Sequence, residues 1–367
     1  MTSTINERRL LQHFFHYVKI SSPSHHEADV RIVLRNHLKR LKVKTKVDAT
    51  GNLIGYVAAQ GKSVSMTPLL LSAHMDTVKP CKRIRPVIRG NVIMTDGKSV
   101  LGADDKAGLA AIIETVQRLR ETRAEHPPLE IVFSIGEETF SDGAGQLDYS
   151  LLHAPNAIVI DGGNIGEIDY RSAYLADVLA TIKGKAAHSG IEPEKGISAI
   201  QIAAVAISKM KLGRIDHETT ANIGLIRGGS VRNAVPELVK IHGEARSFSK
   251  RKIEDQLERM YKALQDACEH YGGLLDINSK VILDGYFIKK THPLLKQVMA
   301  TMTSIGIKPK LMASIGATDA NSFIKHGISS AVIGTGVQMP HTVEEHIRIA
   351  DLVTTTRLLY QIVTTWK

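Results

Sequence analysis

A histidine and a carboxylate two residues apart follow a short apolar run in the first quarter of the chain. Residues 69–71 have the character of a strand that is buried on both faces, and His74 and Asp76 come where that run ends. Side chains two residues apart in an extended chain point the same way. The carboxylate can therefore hold one ring N–H of His74 while the other ring nitrogen binds a metal. A hydrogen-bonded surface pair is the alternative for these two residues taken alone.

Two more apolar runs end in carboxylates. Residues 129–135 run into Glu137 and Glu138, and residues 157–160 run into Asp161. In open α/β sheets, ligands gather outside the carboxyl ends of the strands. Because buried unpaired carboxylates are costly, several of them at one sheet edge need a shared counter-charge. A metal ion is the simplest source of that charge.

Two further segments supply candidate ligands. Asp104 and Asp105 stand where a glycine-rich loop enters a strongly apolar helix, and His341 follows the apolar run 330–333. Two imidazoles and three carboxylates without a thiolate suit two divalent ions that share a bridging carboxylate, such as Zn²⁺, Co²⁺ or Mn²⁺, better than a structural zinc. The predicted ligand set is His74, Asp104, Glu138, Asp161 and His341.

Such a set predicts hydrolytic chemistry. Two ions about 3.5–4 Å apart can hold a hydroxide between them and polarise a carbonyl. A carboxylate must then carry the proton from water to the leaving amine. Glu137 stands beside a ligand but is free of the metal, so it is the predicted general base.

Composition limits the class of protein. The chain has 367 residues, 43% hydrophobic and 23% charged, which predicts an ordinary globular protein of two or three domains. No stretch has the length of a membrane span, and the N-terminus does not resemble a signal peptide, so we expect a cytoplasmic protein. Cys81 and Cys268 show no metal-ligand spacing.

The charge leaves one non-enzymatic alternative open. The net charge of +10 and the basic run 39–46 would suit an acidic partner. Aromatic residues are only 5% of the chain and do not interleave with that run, so a stacking platform for nucleic acid is not supported. A basic binding protein without activity remains a remote alternative.

The order of predicted elements divides the chain. From Tyr174 the pattern reads β-α-β-β-α-β, the ferredoxin-like arrangement, and it predicts a complete inserted domain at residues 173–287. The flanking segments 1–172 and 288–367 alternate strands and helices and carry all the candidate ligands, which predicts an α/β catalytic domain.

Five ordered motifs resemble those of the co-catalytic zinc exopeptidases, a family that includes peptidase T, aminoacylase and glutamate carboxypeptidases. The resemblance is greatest to the peptidase T-like, tripeptide aminopeptidase group, and it covers essentially the whole chain. The motifs are HMDTV at 74–78, GADDKAG at 102–108, GEE at 136–138, DGG at 161–163 and GKAAHSG at 184–190.

The resemblance implies a role for each candidate residue. Asp76 would orient His74, and Glu137 would be the base. The ligands would divide into His74 and Asp161 for one ion, Glu138 and His341 for the other, and Asp104 as the bridge. The implied fold is a mixed-sheet catalytic domain with helices on both faces, with a lid domain inserted in it.

The resemblance also assigns substrate contacts to the lid. It implies that the lid mediates a homodimer, with His188 reaching the substrate carbonyl, often in the partner's active site, and with Asn233 and Arg246 contacting the substrate. An ordinary strand-surface arginine is the alternative for Arg246. Ala317 stands where the family's substrate loop usually has a second glycine, which changes the expected shape of the specificity pocket.

The predicted function is therefore a di-zinc exopeptidase that removes the N-terminal residue of short peptides, above all tripeptides. An N-acyl amino acid amidohydrolase or a carboxypeptidase of the same superfamily would share the metals and the base, and would differ in which end of the substrate the lid holds. We expect short peptides and a second copy of the chain as partners, and neither nucleic acid nor membrane.

Overall fold

The structure is a computed structural model that describes residues 5–61 and 66–367. In these residues the helices are α1 Glu7–Val18, α2 Ala28–Arg40, α3 Ala103–Thr122, α4 Asp142–Gly145, α5 Ala199–Lys209, α6 Lys250–Tyr271, α7 Pro293–Ser304, α8 Asp319–Lys325 and α9 Ile349–Thr364.

The strands of the same ranges are β1 Lys44–Val47, β2 Leu53–Val57, β3 Leu69–His74, β4 Pro86–Arg89, β5 Val92–Thr95, β6 Leu129–Ser134, β7 Asn156–Gly162, β8 Glu167–Ser172, β9 Tyr174–Lys183, β10 Gly213–Arg214, β11 Thr219–Gly228, β12 Leu238–Ser247, β13 Leu274–Leu283, β14 Tyr286–Phe287, β15 Lys310–Ser314, β16 Ser329–Gly334 and β17 Ile347–Arg348.

The chain forms two compact units. Unit 1 comprises the described residues of 1–170, 287–313 and 318–367, and unit 2 comprises residues 171–286 and 314–317. The sequence prediction of 173–287 left the short segment 314–317 in the flanking domain. In the structure Ala173 N donates to Ser314 O at 3.2 Å and Arg246 Nη1 donates to Ile315 O at 3.3 Å, and these bonds bring the segment into unit 2.

A mixed sheet forms the centre of unit 1. Its strands run in the order β1-β2-β6-β3-β7-β16-β8-β14, and β15 pairs with β8. The central strands β6, β3, β7 and β16 are parallel neighbours, whereas β2 and β8 pair antiparallel at their sides. All six residues of both β3 and β6 are buried, as expected of strands covered on both faces. The four parallel strands therefore end at one edge of the sheet.

Helices cover both faces of this sheet, as predicted. Helix α3 packs on β3 and β7 and against α1 and α9, while α8 packs on β7 and β16 and against α4. Helix α3 is buried along most of its length, with Leu109, Ile112 and Val116 fully covered, because it lies between the sheet and two other helices. A rigid, buried helix thus begins beside the strand ends.

Unit 2 has the predicted β-α-β-β-α-β order, with the two-residue strand β10 added. Its antiparallel sheet runs β10-β11-β12-β9-β13, and α5 and α6 pack against each other and against the sheet. Buried and exposed residues alternate along the first six positions of β12, the pattern of a sheet with one covered face. Ser249 caps the start of α6 through its side chain, and Gly272 ends the helix at φ 74°.

Within the described ranges no helix combines the length and the apolar character that crossing a membrane requires.

Candidate metal centre

The parallel strands bring the predicted ligands to one edge of the sheet. In the strand register His74 lies opposite Ser134, the last residue of β6, so the loop that carries Glu137 and Glu138 starts beside His74. Strand β7 pairs with β3 on its other side and carries Asp161 next to its last residue. The sheet therefore supplies three of the neighbouring groups directly.

The five predicted ligands form two overlapping groups. His74 Nε2 lies 3.2 Å from Asp104 Oδ1 and 3.8 Å from Asp161 Oδ1. His341 Nε2 lies 3.4 Å from Asp104 Oδ2 and 2.9 Å from Glu138 Oε2. Each oxygen of Asp104 thus faces a different imidazole, which is the arrangement that a bridging carboxylate needs.

Asp76 is completely buried below this cluster and connects three parts of it. Its Oδ1 lies 3.3 Å from His74 Nδ1 and accepts the backbone N–H of Glu137 at 3.0 Å. Its Oδ2 accepts the N–H of Glu138 at 3.1 Å and the hydroxyl of Ser24 at 2.7 Å. Burial alone would raise the pKa of Asp76, but His74 and these donors lower it to about 2. The carboxylate therefore stays charged, lies beside His74 Nδ1 and fixes the Glu137-Glu138 turn.

Glu137 lies beside the predicted ligands: one carboxylate oxygen of Glu137, one of Glu138 and one ring nitrogen of His74 are all within 4.8 Å of one another. Burial raises its pKa well above the ordinary value although His74 acts in the opposite direction, and Asp319, Glu138 and Asp104 add to the rise. A carboxylate that gains a proton readily is suited to act as a base.

The two histidines carry the positive charge that this cluster needs. Hydrogen bonds to Asp104 and Glu138 raise the pKa of His341 to about 10. Burial would lower the pKa of His74, but Asp104 and Asp76 raise it well above the ordinary value. Burial also raises the pKa of Asp161, and the charges of neighbouring carboxylates raise it further. Two imidazoles are thus shared among more acids than they can neutralise.

The residues fit a pair of divalent metal ions. Among the described residues no lysine or arginine lies within ion-pair distance of Asp104, Glu138 or Asp161. Glu138 Oε1 is buried and accepts no hydrogen bond from the described part of the chain. Metal ions bind deprotonated ligands, so ions bound here would replace the imidazole protons as the counter-charge. Oxygen and imidazole donors without thiolate are the ligands of Zn²⁺, Co²⁺ or Mn²⁺.

A close backbone approach positions the loop that carries Asp104. Gly102 has a left-handed φ of 69°, and a Cβ there would lie 2.8 Å from Thr77 Cγ2. Only glycine meets both conditions without strain. The loop after β3 and the loop before α3 can therefore touch.

Two supporting residues were missed by sequence reasoning. Lys106 is 1% exposed, and its Nζ donates to Met75 O at 2.6 Å, Ser22 Oγ at 2.8 Å and Thr77 Oγ1 at 2.9 Å. Burial lowers the pKa of Lys106 to about 8. This lysine holds the turn that carries Asp76, and its place within the GADDKAG motif was the available signal.

Glu345 is the second missed residue. It is 1% exposed and accepts the backbone N–H groups of Gly102 and Asp104 at 2.7 and 2.9 Å. Burial raises the pKa of Glu345 to about 7, although these N–H groups favour its charged form. Its sequence signal was weak, since one of two adjacent glutamates near His341 reads as an ordinary surface residue.

The three predicted substrate residues lie in unit 2. His188 and Asn233 are exposed and close together, because His188 forms a bridge with Ala234 and Ser189 N donates to Asn233 O at 3.1 Å. Arg246, on β12, forms a forked pair with Glu244, with both N···O distances 3.1 Å. In the described residues no hydrogen bond joins Arg246 to the other two.

Two known peptidase families match separate parts of the chain. Residues 171–272 match a peptidase dimerisation domain of the M20 type, and residues 52–161 match peptidase family M28. The first match lies in unit 2 and the second contains four of the five predicted ligands and the predicted base. Neither match spans half of the chain, so relatives of full length decide the family.

Three such relatives align with 98% of this chain and with 98% of their own length. The chain is 39% identical to the uncharacterised protein YqjE of Bacillus subtilis. Its sequence is 37% identical to that of aminopeptidase PepT from Bacillus cereus, and its structure matches the crystal structure of that protein with a TM-score of 0.88. It is 32% identical to the structure of a tripeptidase from Staphylococcus aureus, with a TM-score of 0.93. The chain therefore belongs to the peptidase T-like family of M20 metallopeptidases, which are hydrolases of the aminopeptidase type.

Proposed function

We propose that this chain is a di-metal aminopeptidase that removes the N-terminal residue of short peptides, with tripeptides as the preferred class. The observation that carries the proposal is the placement of Asp104 between the two histidines, one oxygen facing each. The similarity of almost the whole chain to a tripeptidase supports the substrate class. Zinc is the metal that we favour for this donor set, with cobalt and manganese as alternatives.

Each side chain has a distinct part in the proposed centre. His74 and Asp161 would hold one ion, Glu138 and His341 the other, and Asp104 would bind both. Asp76 would orient His74 through Nδ1, which leaves Nε2 for the metal. Because Asp76 also binds the N–H groups of Glu137 and Glu138, one buried carboxylate would align ligands of both ions and the base.

Bound ions would activate water and polarise the scissile carbonyl. Glu137 then takes the proton of the attacking water and delivers it to the leaving amine. Its backbone is fixed by Asp76 at 3.0 Å, so its carboxylate is held beside the ligands without having to bind an ion itself. The neighbouring acids that raise its pKa favour the protonated form it must pass through.

A panel of peptides tests the substrate class. The protein, loaded with Zn²⁺, is assayed with trialanine, dialanine, N-acetyl-trialanine and trialanine amide. We expect rapid release of alanine from trialanine and from trialanine amide, slower cleavage of dialanine and loss of activity when the N-terminus is blocked. Release of acetate from the N-acetyl peptide would instead show a deacylase, and release of alanine from the N-acetyl peptide but not from the amide would show a carboxypeptidase.

Glu137→Gln tests the mechanism. Glutamine keeps the size of the side chain but cannot take a proton, so kcat should fall about 10²–10⁴-fold while metal content and melting temperature stay at wild-type values. Asp142→Asn, at the start of α4, is the matched control, since the Asp142 side chain is 47% exposed and its ion pair among the described residues is with His25, at 3.5 Å. Unchanged turnover in Glu137→Gln would remove Glu137 as the base.

We also propose that unit 2 pairs two copies of the chain and offers His188, Asn233 and Arg246 to the substrate. The match of residues 171–272 to a peptidase dimerisation domain supports the pairing. Sedimentation of the purified protein should give twice the chain mass of 40.1 kDa. His188→Ala should raise KM or lower kcat without changing that mass.

A further inference from the structure

Glu345 connects two of the loops that carry proposed metal ligands. Its Oε2 accepts the N–H of Gly102 at 2.7 Å, and its Oε1 accepts the N–H of Asp104 at 2.9 Å. Those two residues lie more than 200 positions earlier in the chain. The carboxylate itself faces backbone N–H groups and takes no place in the proposed ligand set.

The loop that carries Glu345 is closed at its base. Gln338 and His346 exchange backbone hydrogen bonds at 2.9 and 3.0 Å, so residues 338–346 form a closed loop. His341 lies within it at a left-handed φ of 65°. Within the loop, Glu345 N donates to Thr342 O at 3.2 Å, and Thr342 Oγ1 donates to Met339 O at 2.8 Å. A short, internally bonded loop therefore links His341 rigidly to Glu345.

The start of α3 needs an acceptor of this kind. The first N–H groups of a helix have no partner within the helix, and a carboxylate is favoured there by charge. Asp104 has non-helical φ and ψ of −81° and 102°, and no side chain of the N-cap residue Gly102 can serve this end. Glu345 supplies both bonds from a distant part of the chain.

Asp104 and His341 are thus joined twice. Asp104 Oδ2 faces His341 Nε2 at 3.4 Å, and the backbone N–H of the same Asp104 is held by Glu345, four residues after that histidine. Either contact alone would leave the second loop free to rotate or slide. The two together fix the distance between a proposed bridging ligand and a ligand of one ion.

Building on the proposed function, we infer that Glu345 is a positioning residue that sets the bridging Asp104 and His341 in the geometry for metal binding. It does not touch substrate or metal and acts only through the two loops. Loss of its carboxylate should loosen both ions, because Asp104 serves both, whereas loss of Asp76 should act mainly through His74 and the Glu137-Glu138 turn.

The test compares Glu345→Gln and Glu345→Ala with Glu344→Ala. Glu344 is the adjacent glutamate, it is exposed, and no hydrogen bond or ion pair of its side chain is described. Apo proteins are titrated with Zn²⁺ against a chromophoric chelator at 20 °C, and the melting temperature of each apo protein is measured first. Turnover of trialanine gives kcat and KM.

We expect a graded result. Glu345→Ala should weaken Zn²⁺ binding about 10–100-fold at both sites, and Glu345→Gln, which keeps one acceptor oxygen, should have a smaller effect. The value of kcat should fall with binding while KM changes little, and Glu344→Ala should match wild type. Should Glu345→Ala fail to fold, the isosteric Glu345→Gln decides.

A helix cap with no further role would give another pattern. The apo melting temperature would fall in both Glu345 variants, while the folded proteins would bind Zn²⁺ and turn over like wild type. That result would overturn the inference and leave the proposed function intact. Failure of the wild-type protein itself to bind Zn²⁺ or cleave peptides would instead contradict the proposed function.

Discussion

Each unit contains a group of neighbouring carboxylates, and the two groups differ in how their charge is balanced. In unit 2, Lys252 Nζ lies 3.1 Å from Asp216 and 2.7 Å from Glu218, and Arg171 lies 3.1 Å from Glu218. Each acid in that group has a cation of the same chain beside it, and Lys252 and Asp216 are both 36% exposed. Such pairs need nothing from outside the chain and are only weakly coupled to stability.

In the ligand cluster of unit 1 the carboxylates outnumber the cations beside them. The side chains of Glu138 and Asp161 are 6% and 11% exposed, and only His74 and His341 lie within ion-pair distance of the ligand carboxylates in the described residues. Gathering acids in this way is unfavourable unless charge arrives from elsewhere. The comparison teaches that the unit 1 cluster is built for bound cations, and four changes test that contrast.

The largest effect is expected from Asp104→Asn. Asparagine keeps the shape but offers one oxygen and no charge, so it should not bridge two ions. Zinc content should fall from two ions per chain to one or none. Activity should drop at least as far as it would on loss of the general base, about 10²–10⁴-fold. Metal analysis with the peptide assay measures both. Two tightly bound ions in the variant would contradict the bridging role.

The next effect separates His74 from Asp76. His74→Ala removes a proposed ligand and should empty one metal site. Asp76→Asn keeps the ligand but removes charge from the group that accepts the N–H bonds of Glu138 and Glu137, so affinity and activity should fall about 10–100-fold. Zinc titration of both variants checks the order. Equal metal content and activity in the two variants and wild type would contradict it.

Removal of metal should lower the local stability of unit 1 alone. An ion present at 100 times its Kd stabilises the folded state by about 2.7 kcal/mol per site. Hydrogen exchange measured with and without a chelator should therefore show faster exchange in residues 74–78, 102–106 and 136–138 of the stripped protein. Strands β9 and β12 serve as the internal control. An equal change in both units would remove the contrast between them.

The smallest effect is expected in unit 2. Lys252→Met removes a half-exposed cation from a solvated group, and exposed ion pairs contribute little. The melting temperature should change by no more than about 2 °C, and zinc binding should match wild type. A large loss of stability would show that the unit 2 network is as critical as the cluster in unit 1.

Sequence reasoning reached the parts of the structure that follow a local pattern. Apolar runs that end in His74, Glu137 and Asp161 predict buried parallel strands, and parallel strands must end at one edge, so their meeting could be foreseen. The β-α-β-β-α-β order of unit 2 was readable for the same reason.

The rest depends on contacts between distant residues. Glu345 reaches Gly102 and Lys106 reaches Met75, and nothing periodic in the sequence marks either pair. The segment 314–317 likewise joins unit 2 through single hydrogen bonds to Ala173 and Arg246, which no local pattern predicts. The proposed roles of His188, Asn233 and Arg246 remain predictions.

The interrupted course of unit 1 also bears on how the protein is made. His74, Asp104, Glu138 and Asp161 leave the ribosome before unit 2, whereas His341 and Glu345 follow after it. Bringing such distant segments together requires both to be synthesised and carries a loop-closure cost, so the centre should be completed late. A nascent chain that has reached unit 2 would hold an incomplete set of the proposed ligands. Peptidase activity would then arise only after the segment that carries His341 and Glu345 has been translated.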